Sequence, residues 1–129
     1  MWYVIQVMSG EEHEKEQLFK KLILNRDGRT YDKIFVPMYV RKKRWHEEQK
    51  VLFPGYIFVD TSDIELFCQY LAKVPGFKKV LRDADEIAPI TEEEKAYLLS
   101  MMDEHYIVQI SVGYLIGDKI CITEGALKN

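Results

Sequence analysis

The segment Leu52-Phe53-Pro54-Gly55-Tyr56-Ile57-Phe58-Val59-Asp60 predicts a β-strand that Pro54-Gly55 interrupts near its start. Tyr56 and Phe58 are two residues apart, so both rings project from the same face of that strand. If no helix covers this face, the rings form an exposed aromatic patch of the kind that marks a partner site. If the face is covered, the same rings are simply part of the core.

The residues before this segment predict two more strands with a helix between them. Residues 2–8 and 33–40 are rich in aromatic and β-branched residues, and Pro37 suits a strand edge or a bulge. The helix follows Ser9-Gly10-Glu11-Glu12, whose spacing is that of a capping box. The polar residues 41–50 predict a connection, such as the tip of a hairpin.

The residues after the segment predict two further helices with two short strands between them. The first helix follows Ser62-Asp63-Ile64-Glu65 and stops at Pro75-Gly76; the second follows Thr91-Glu92-Glu93-Glu94 and runs to about Glu104. The resulting order is β-α-β-β-α-β-α. It favours an α+β fold, a ferredoxin-like sandwich in which two helices pack on one face of an antiparallel sheet.

The tail after residue 105 has a different character. Residues 107–110 and 119–123 look like strand material, and two strands cannot bury a core of their own. The tail is therefore either a fragment of a second small β-domain or an arm that packs on the first domain.

Composition limits the class of protein. A chain of 129 residues is one domain with at most a short appendage, and 47% hydrophobic with 30% charged residues indicates a globular fold. No apolar run reaches the roughly 20 residues that span a bilayer, and the start lacks a signal-peptide pattern. Cys68 and Cys121 are too few and too far apart for a disulfide framework, a zinc ribbon or a CxxC motif. These features favour the cytoplasm.

Charge is unevenly distributed along the chain, although the net charge is only −3. Residues 29–50 and residues 73–82 each carry a net charge of +4, and residues 83–104 carry −7. Such blocks are either solvated faces or surfaces for a charged partner. The basic candidates for a nucleic-acid contact are Arg41, Lys42, Lys43, Arg44, Lys78, Lys79 and Arg82.

The sequence offers no catalytic or metal-binding pattern. It has no G-x-S-x-G, Walker, G-x-G-x-x-G or H-E-x-x-H motif, and His13, His46 and His105 are scattered. Cys68 has no histidine next to it in the sequence. We therefore expect neither an enzyme, nor a metal, nor a cofactor, nor a small-molecule substrate, nor a membrane partner.

Several short motifs together carry a resemblance that covers nearly the whole chain. They are Trp2-Tyr3-Val4-Ile5-Gln6-Val7 with Ser9-Gly10-Glu11-Glu12, Leu52-Phe53-Pro54-Gly55-Tyr56-Ile57-Phe58-Val59, Val74-Pro75-Gly76-Phe77, Pro89-Ile90 with Thr91-Glu92-Glu93-Glu94, and the run from Gly117 to Lys128. In this order they resemble the NusG family of transcription elongation factors. The segment Gly117-Asp118-Lys119-Ile120-Cys121-Ile122 is similar in sequence to that of specialised antitermination paralogues of the RfaH and LoaP type.

The resemblance implies a domain organisation. A NusG N-terminal domain would occupy residues 1–105, a linker residues 106–116, and residues 117–129 would be the start of a truncated KOW domain.

The resemblance also implies partners. Family members dock an apolar surface on the clamp helices of the largest RNA polymerase subunit and thereby promote processive elongation. Carried over to this sequence, that surface comprises Phe53, Pro54, Tyr56 and Phe58, with Phe35 and Tyr39 as neighbours. A second polymerase contact would fall on Phe67, Cys68, Gln69 and Tyr70. Recruitment by an RNA leader hairpin or by non-template DNA would use the two basic clusters.

An alternative is an RNA-recognition-motif-like module. Its β-α-β-β-α-β order is the same, and Gly55-Tyr56-Ile57-Phe58-Val59 partly resembles the motif whose rings stack on RNA bases. Pro54 stands where that family has Lys or Arg, and Thr61 where it has an aromatic residue. Residues 51–72 contain three acids and no base, which favours a protein partner at this strand.

Overall fold

A computed structural model describes residues 1–43 and 45–110, which form nine β-strands and three α-helices. The strands are β1 (Trp2–Gln6), β2 (Lys33–Phe35), β3 (Met38–Lys43), β4 (His46–Val51), β5 (Tyr56–Asp60), β6 (Lys79–Val80), β7 (Arg82–Asp83), β8 (Glu86–Ile87) and β9 (Ile107–Ile110). The helices are α1 (Glu12–Leu22), α2 (Ile64–Leu71) and α3 (Glu92–Met101), with a 3-10 turn at Arg26–Gly28. The predicted α+β class is confirmed.

The main sheet is antiparallel and has the order β2-β5-β1-β6. Its central strands β1 and β5 pair in the register Val4↔Phe58 and Ile5↔Ile57. All four of these residues are fully buried. This explains why both strands are apolar on both faces: each face of the sheet is covered.

One face of the main sheet is covered by α1 and α2, as the sequence predicted. Phe19 of α1 and Phe67 of α2 are both fully buried and belong to a core cluster that includes Ile5, Ile57 and Val59. These three strand residues alternate with those that point to the other face. The two helices therefore leave only the opposite face available for the aromatic patch considered above.

The opposite face is covered as well. Leu98 of α3 and Val108 of β9 are buried against Trp2, Val4 and Phe58 in a second core cluster. Most rings on this face are therefore part of the core, which is the second of the two alternatives given for them above. Only its margin reaches the solvent.

A second sheet, of order β4-β3-β9, was not predicted. Residues 45–50 were expected to form a polar connection, but residues 46–51 form β4, which pairs antiparallel with β3. The pairing places Lys42 opposite Glu47 and Arg41 opposite Glu48, so opposite charges face each other across the hairpin. Residues 41–43 and 45–46 thus lie at or near a hairpin tip.

The strand β9 corrects the predicted start of the linker. Residues 107–110 pair in parallel with β3, in the register Met38↔Ile107 and Tyr39↔Val108. Residues 106–110 therefore pack with the first domain. For this part of the tail, the structure agrees with the alternative of an arm that packs on that domain. The remaining predicted linker, 111–116, and the predicted KOW start, 117–129, lie outside the described residues.

The helix starts agree only partly with the predicted caps. Thr91 and Glu94 form the expected capping box of α3, with bonds of 3.1 Å and 3.0 Å. In α2 the cap is Asp63 rather than Ser62, because the Asp63 carboxylate accepts from the Leu66 N–H. The helix α3 ends at Met101, not near Glu104.

The described helices are short. The longest, α1, has 11 residues. Within residues 1–43 and 45–110 there is no helix with the length and apolar character needed to cross a membrane.

Candidate functional site

A buried carboxylate fixes the loop that precedes β5. Glu12 is only 4% exposed, and its two oxygens accept from the backbone N–H groups of Gly10 at 3.0 Å and Gly55 at 2.7 Å. The predicted capping box at Ser9 is wrong: the N-cap residue is Glu11, which makes no side-chain cap bond. Glu12 instead connects the start of α1 to a loop that lies 43 residues later in the chain.

The electrostatics of Glu12 follow from this geometry. Burial alone would raise the pKa of the Glu12 carboxyl, but the hydrogen bonds from the backbone N–H groups of Gly55, Glu12 itself and Gly10 outweigh it. The net result is a pKa below the ordinary value of 4.5. The carboxylate is therefore ionised at neutral pH and acts as a charged acceptor.

The loop is held on its other side as well. The Gly55 carbonyl accepts from the Val7 N–H at 2.8 Å, and the Tyr56 N–H donates to the Phe53 carbonyl at 3.1 Å, which closes a tight turn. Gly55 has φ +88°, a left-handed conformation that favours glycine. The turn thus presents Phe53, Pro54 and Tyr56 from a rigid support.

Two of the predicted polymerase-contact residues are buried. Phe58 is 0% exposed and Phe35 is 4% exposed, and their rings stack with centroids 5.5 Å apart. Trp2 packs edge-on to both rings. Phe58 and Phe35 therefore cannot touch a partner directly, and the expectation that they form part of a contact surface is corrected: they are core residues beneath it.

The other predicted residues surround this core at the surface. Phe53, Tyr56 and Tyr39 are half-buried and pack against the same aromatic cluster, and Pro54 beside them is exposed. The centroid of the Phe53 ring lies 5.7 Å from that of Phe58. We call Tyr39, Phe53, Tyr56 and Tyr106 the aromatic rim. Three of these four residues, Tyr39, Phe53 and Tyr56, were predicted to belong to the contact surface and remain accessible.

Tyr106 is the member of the rim that sequence reasoning missed, because residue 106 was assigned to the linker. Its ring stacks on Phe35 with centroids 3.8 Å apart and an interplanar angle of 11°. Burial, with smaller effects from Asp60 and Asp32, raises the pKa of the Tyr106 phenol. The only sequence signal was the alternation that begins at Ile107.

A tight turn fixes Tyr106. Its N–H donates to the Asp103 carbonyl at 3.0 Å, and its own carbonyl accepts from the Met38 N–H at 3.0 Å. The Asp103 carboxylate accepts from the N–H groups of His105 and Ile107. Asp103 thus turns the chain from α3 into β9 and sets the position of the tyrosine ring.

The second predicted polymerase contact lies on α2. Phe67 is fully buried, so it is corrected to a core residue, whereas Cys68 and Tyr70 are half-buried and Gln69 is exposed. Cys68 and Tyr70 pack against the α1–α2 cluster. They therefore lie on the face of the main sheet opposite to the aromatic rim.

The two basic clusters lie on separate elements. In the β3–β4 hairpin, Arg41 and Lys42 are exposed, and Lys42 approaches Glu47 at 3.9 Å. The side chain of Lys43 and all of Arg44 lie outside the described residues. In the second cluster, Lys78 is half-buried and Lys79 and Arg82 are exposed.

The described residues offer no other evident chemical centre. Within residues 1–43 and 45–110, no group of three or more His, Cys, Asp or Glu side chains is arranged to hold a metal ion. The open aromatic platform that an RNA-recognition-motif-like module requires is also missing from β5, since Phe58 is buried.

The fold and its surfaces define a small α+β domain that presents an aromatic rim and two basic clusters. Residues 1–99 match the NusG family, described as transcription termination factor nusG. The chain therefore belongs to the NusG family, a family of transcription factors. No curated protein matches the chain.

Proposed function

We propose that this protein is a transcription elongation and antitermination factor that binds the clamp helices of the largest RNA polymerase subunit through its aromatic rim. The observation that carries this proposal is the rim itself: half-buried rings on a rigid support at the edge of a covered sheet face. Membership of the NusG family supports the same partner.

The chemistry of the rim favours a protein helix. Tyrosine and other large aromatic residues dominate binding energy where they are rigid and partly buried before binding. The carboxylates of Asp60 and Asp32 act electrostatically on Tyr106, so nucleic-acid phosphates would be repelled at that part of the rim. An apolar surface bordered by fixed rings suits the apolar stripe of a helix.

The second contact gives the proposal a mechanism. Cys68, Gln69 and Tyr70 lie on α2, which covers the face of the main sheet opposite to the rim. A domain that contacts partners from both faces can bridge the two sides of the polymerase cleft. It would then favour the closed clamp by its higher affinity for that state, and pausing would decrease. No bond is made or broken in this mechanism.

The basic clusters supply the recruitment step of the proposal. A specialised member of the RfaH or LoaP type would read an RNA leader hairpin or non-template DNA in a bacterial cytoplasm. A KOW domain beginning near residue 117 would follow the described domain. The cations at 41–44 and 78–82 are the candidates for phosphate contacts.

Titration of an isolated clamp-helix coiled coil tests the proposal. We expect measurable binding by the wild-type chain, and binding at least about 1 kcal/mol weaker for Tyr56→Ala, because the ring is a fixed anchor. Phe77→Ala is the matched control: Phe77 is an aromatic residue 52% exposed and outside the rim. A folded wild type that does not bind, or equal losses in both variants, would refute the proposal.

A further inference from the structure

A cavity between the end of α1 and the helix α2 consists mostly of residues that belong to no site described above. Its volume is about 450 Å³, within the roughly 300–1,000 Å³ of ligand pockets. Tyr70 was predicted to contact a partner, as part of the second polymerase contact, and the other lining residues were not. The full set of lining residues is Leu24, Arg26, Arg29, Thr30, Leu66 and Tyr70. The cavity therefore combines two basic side chains with apolar and aromatic surface.

The 3-10 turn after α1 places both arginines on one side. The Arg29 N–H donates to the Arg26 carbonyl at 3.1 Å, and Arg29 has a helical backbone conformation with φ −73° and ψ −32°. Side chains three residues apart eclipse one another in a 3-10 helix. Arg26 and Arg29 therefore project from the same side of the turn, and both line the cavity. One anionic segment can meet both guanidinium groups.

Hydrogen bonds fix the turn at both of its ends. The Asn25 side-chain oxygen accepts from the N–H groups of Thr30 and Tyr31, each at 3.0 Å. Thr30 is only 3% exposed; its hydroxyl donates to the Leu24 carbonyl, and its carbonyl accepts from the Thr61 hydroxyl at 2.8 Å. The backbone that carries the arginines is thus ordered before a ligand arrives, which lowers the entropy cost of binding.

The charges of the two arginines are not compensated within the domain. Among the side chains that the structure describes, neither Arg26 nor Arg29 has an ion-pair partner, and both arginines are exposed. Lys20 on α1 differs in this respect, because its ammonium lies 3.2 Å from the Glu16 carboxylate. Both guanidinium groups therefore remain available to an anionic ligand.

The apolar part of the cavity is accessible as well. Leu24 is 55% exposed, and Leu66 and Tyr70 are half-buried. A single exposed leucine is common on protein surfaces. Here the leucine shares one cavity with two further apolar side chains, so a ligand that covers them would remove their surface from water together. The lining thus favours a ligand that carries both anionic and apolar groups.

We propose that this cavity binds an acidic segment of a partner protein. Carboxylates of the segment meet Arg26 and Arg29, and an apolar side chain of the segment contacts Leu24 and Leu66. The planar guanidinium fork matches the two oxygens of a carboxylate. The inference goes beyond the proposed function and does not rest on it, because the clamp-helix contact is assigned to the aromatic rim on the other face of the main sheet.

The composition of the cavity favours a peptide over a single-stranded nucleic acid. Proteins that bind single strands stack the bases on aromatic rings. Tyr70 is the aromatic residue of the cavity, and one face of its ring is occupied by the Lys73 ammonium, 5.8 Å from the ring centroid. Leu24 and Leu66 instead offer aliphatic surface, which suits an apolar side chain.

The exposure of the lining favours a protein segment over a small molecule. Small-molecule pockets bury most of the surface of their ligand. Leu24, Arg26 and Arg29 are all exposed, so they can cover only one side of a ligand. A longer segment gains further contacts beyond the cavity and does not need to be enclosed by it.

Calorimetric titration of the full chain with two peptides tests the proposal. The first peptide consists of Glu and Asp with two leucines, and the second has the same charges with alanine in place of each leucine. We expect the wild-type chain to bind the leucine peptide, and to bind the alanine peptide at least about threefold more weakly. Arg26→Gln and Arg29→Gln should each weaken binding of the leucine peptide about fivefold at low salt. Higher salt should reduce this difference.

Matched variants control for charge and for apolar surface. Arg41→Gln makes the same change at an exposed position of β3 outside the cavity, and it should bind the leucine peptide like the wild type. Leu24→Ala should weaken binding about threefold. Leu99→Ala is its control, because Leu99 is 47% exposed on α3 and outside the cavity, and it should have no effect.

Four results would overturn the inference. They are the absence of leucine-peptide binding by a folded wild type, equal affinities for the two peptides, unchanged affinity in both arginine variants, and binding of a single-stranded RNA with the same arginine dependence in place of the peptide. The clamp-helix titration, run in parallel, should be unaffected by Arg26→Gln. Failure of the polymerase contact and failure of the peptide site are thus distinguishable.

Discussion

Replacement of Glu12 by glutamine should destabilise the domain more than any other single-atom change in α1. The Glu12 carboxylate accepts from the N–H groups of Gly10 and Gly55, and the second of these bonds is buried. Glutamine keeps one oxygen and places an amide NH₂ where the second acceptor stood. One backbone N–H therefore loses its acceptor and faces another donor.

The magnitude can be worked from these contacts. A hydrogen bond to a charged group contributes roughly 1.5–3 kcal/mol, and an unsatisfied buried donor costs about the same. We expect Glu12→Gln to lower the free energy of unfolding by about 2 kcal/mol. That is a large part of the roughly 5–15 kcal/mol that stabilises a typical domain.

Urea denaturation at pH 7, followed by tryptophan fluorescence, measures this loss. Trp2 is 3% exposed and reports on the core next to the loop, whereas Trp45 is 89% exposed and changes little on unfolding. Glu14→Gln is the matched control, because Glu14 is exposed on the same helix. The control should remain within about 0.5 kcal/mol of wild type.

The difference in stability between wild type and Glu12→Gln should become smaller in acid. The pKa of Glu12 in the folded state lies below its ordinary value of 4.5, so its stabilising contribution is complete above pH 4.5. The contribution is lost as the pH falls through the lowered pKa of the folded state. The difference in the free energy of unfolding between wild type and Glu12→Gln should therefore decrease below pH 4.5. A loss under about 0.5 kcal/mol at pH 7, or a gap that widens in acid, would refute the assigned role of Glu12.

Three further changes test other parts of the structure by the same denaturation assay. Thr91→Ala removes the hydroxyl acceptor of the α3 capping box and should cost about 1 kcal/mol; no loss would argue against the cap. Phe58→Ala should cost about 3–5 kcal/mol because the ring is fully buried, and a cost under about 1 kcal/mol would show that the ring is a surface residue after all. Lys42→Gln should change stability by less than about 0.5 kcal/mol, because its contact with Glu47 is exposed; a larger loss would mean that the pair stabilises the hairpin.

The elements with strong local patterns were predictable from the sequence. The central strands β1 and β5 carry the aromatic and β-branched residues typical of strands, and Thr91 with Glu94 gives a capping box that forms as predicted. The strand β4 was not predictable in the same way, whereas residues 107–110 were predicted as strand material but without their pairing partner. Residues 46–50 are polar throughout, and they form a strand because β3 pairs with them across the hairpin. The strand β9 depends on a pairing with β3 about 70 residues earlier in the chain.

The aromatic site shows a similar limit. The sequence identified Tyr56 and Phe58 as rings on the same face of one strand, but it could not say which of them reaches the solvent. That distinction depends on Leu98 and Val108, which cover Phe58 from α3 and β9. The alternation of side chains along a strand shows which of them share a face. It does not show how deeply that face is buried in the fold.

The role of Glu12 could not be read from its spacing. Its position three residues after Ser9 is that expected of a capping box, and the carboxylate does reach a backbone N–H nearby, that of Gly10. Its shorter bond goes to Gly55, which approaches only when β5 pairs with β1. The spacing of Ser9 and Glu12 is that of a local helix cap, but the Glu12 carboxylate accepts a hydrogen bond from Gly55, 43 residues later in the chain.

The most direct test of the proposed polymerase contact is to map which surface of the domain responds to the clamp helices. Amide shifts of the isotope-labelled chain would be recorded while the clamp-helix coiled coil is added. If the aromatic rim is the contact surface, we expect the largest changes at Tyr39, Phe53, Tyr56 and Tyr106, with little change at Phe77. Changes confined to residues outside the aromatic rim, or no changes at saturating coiled coil, would contradict it.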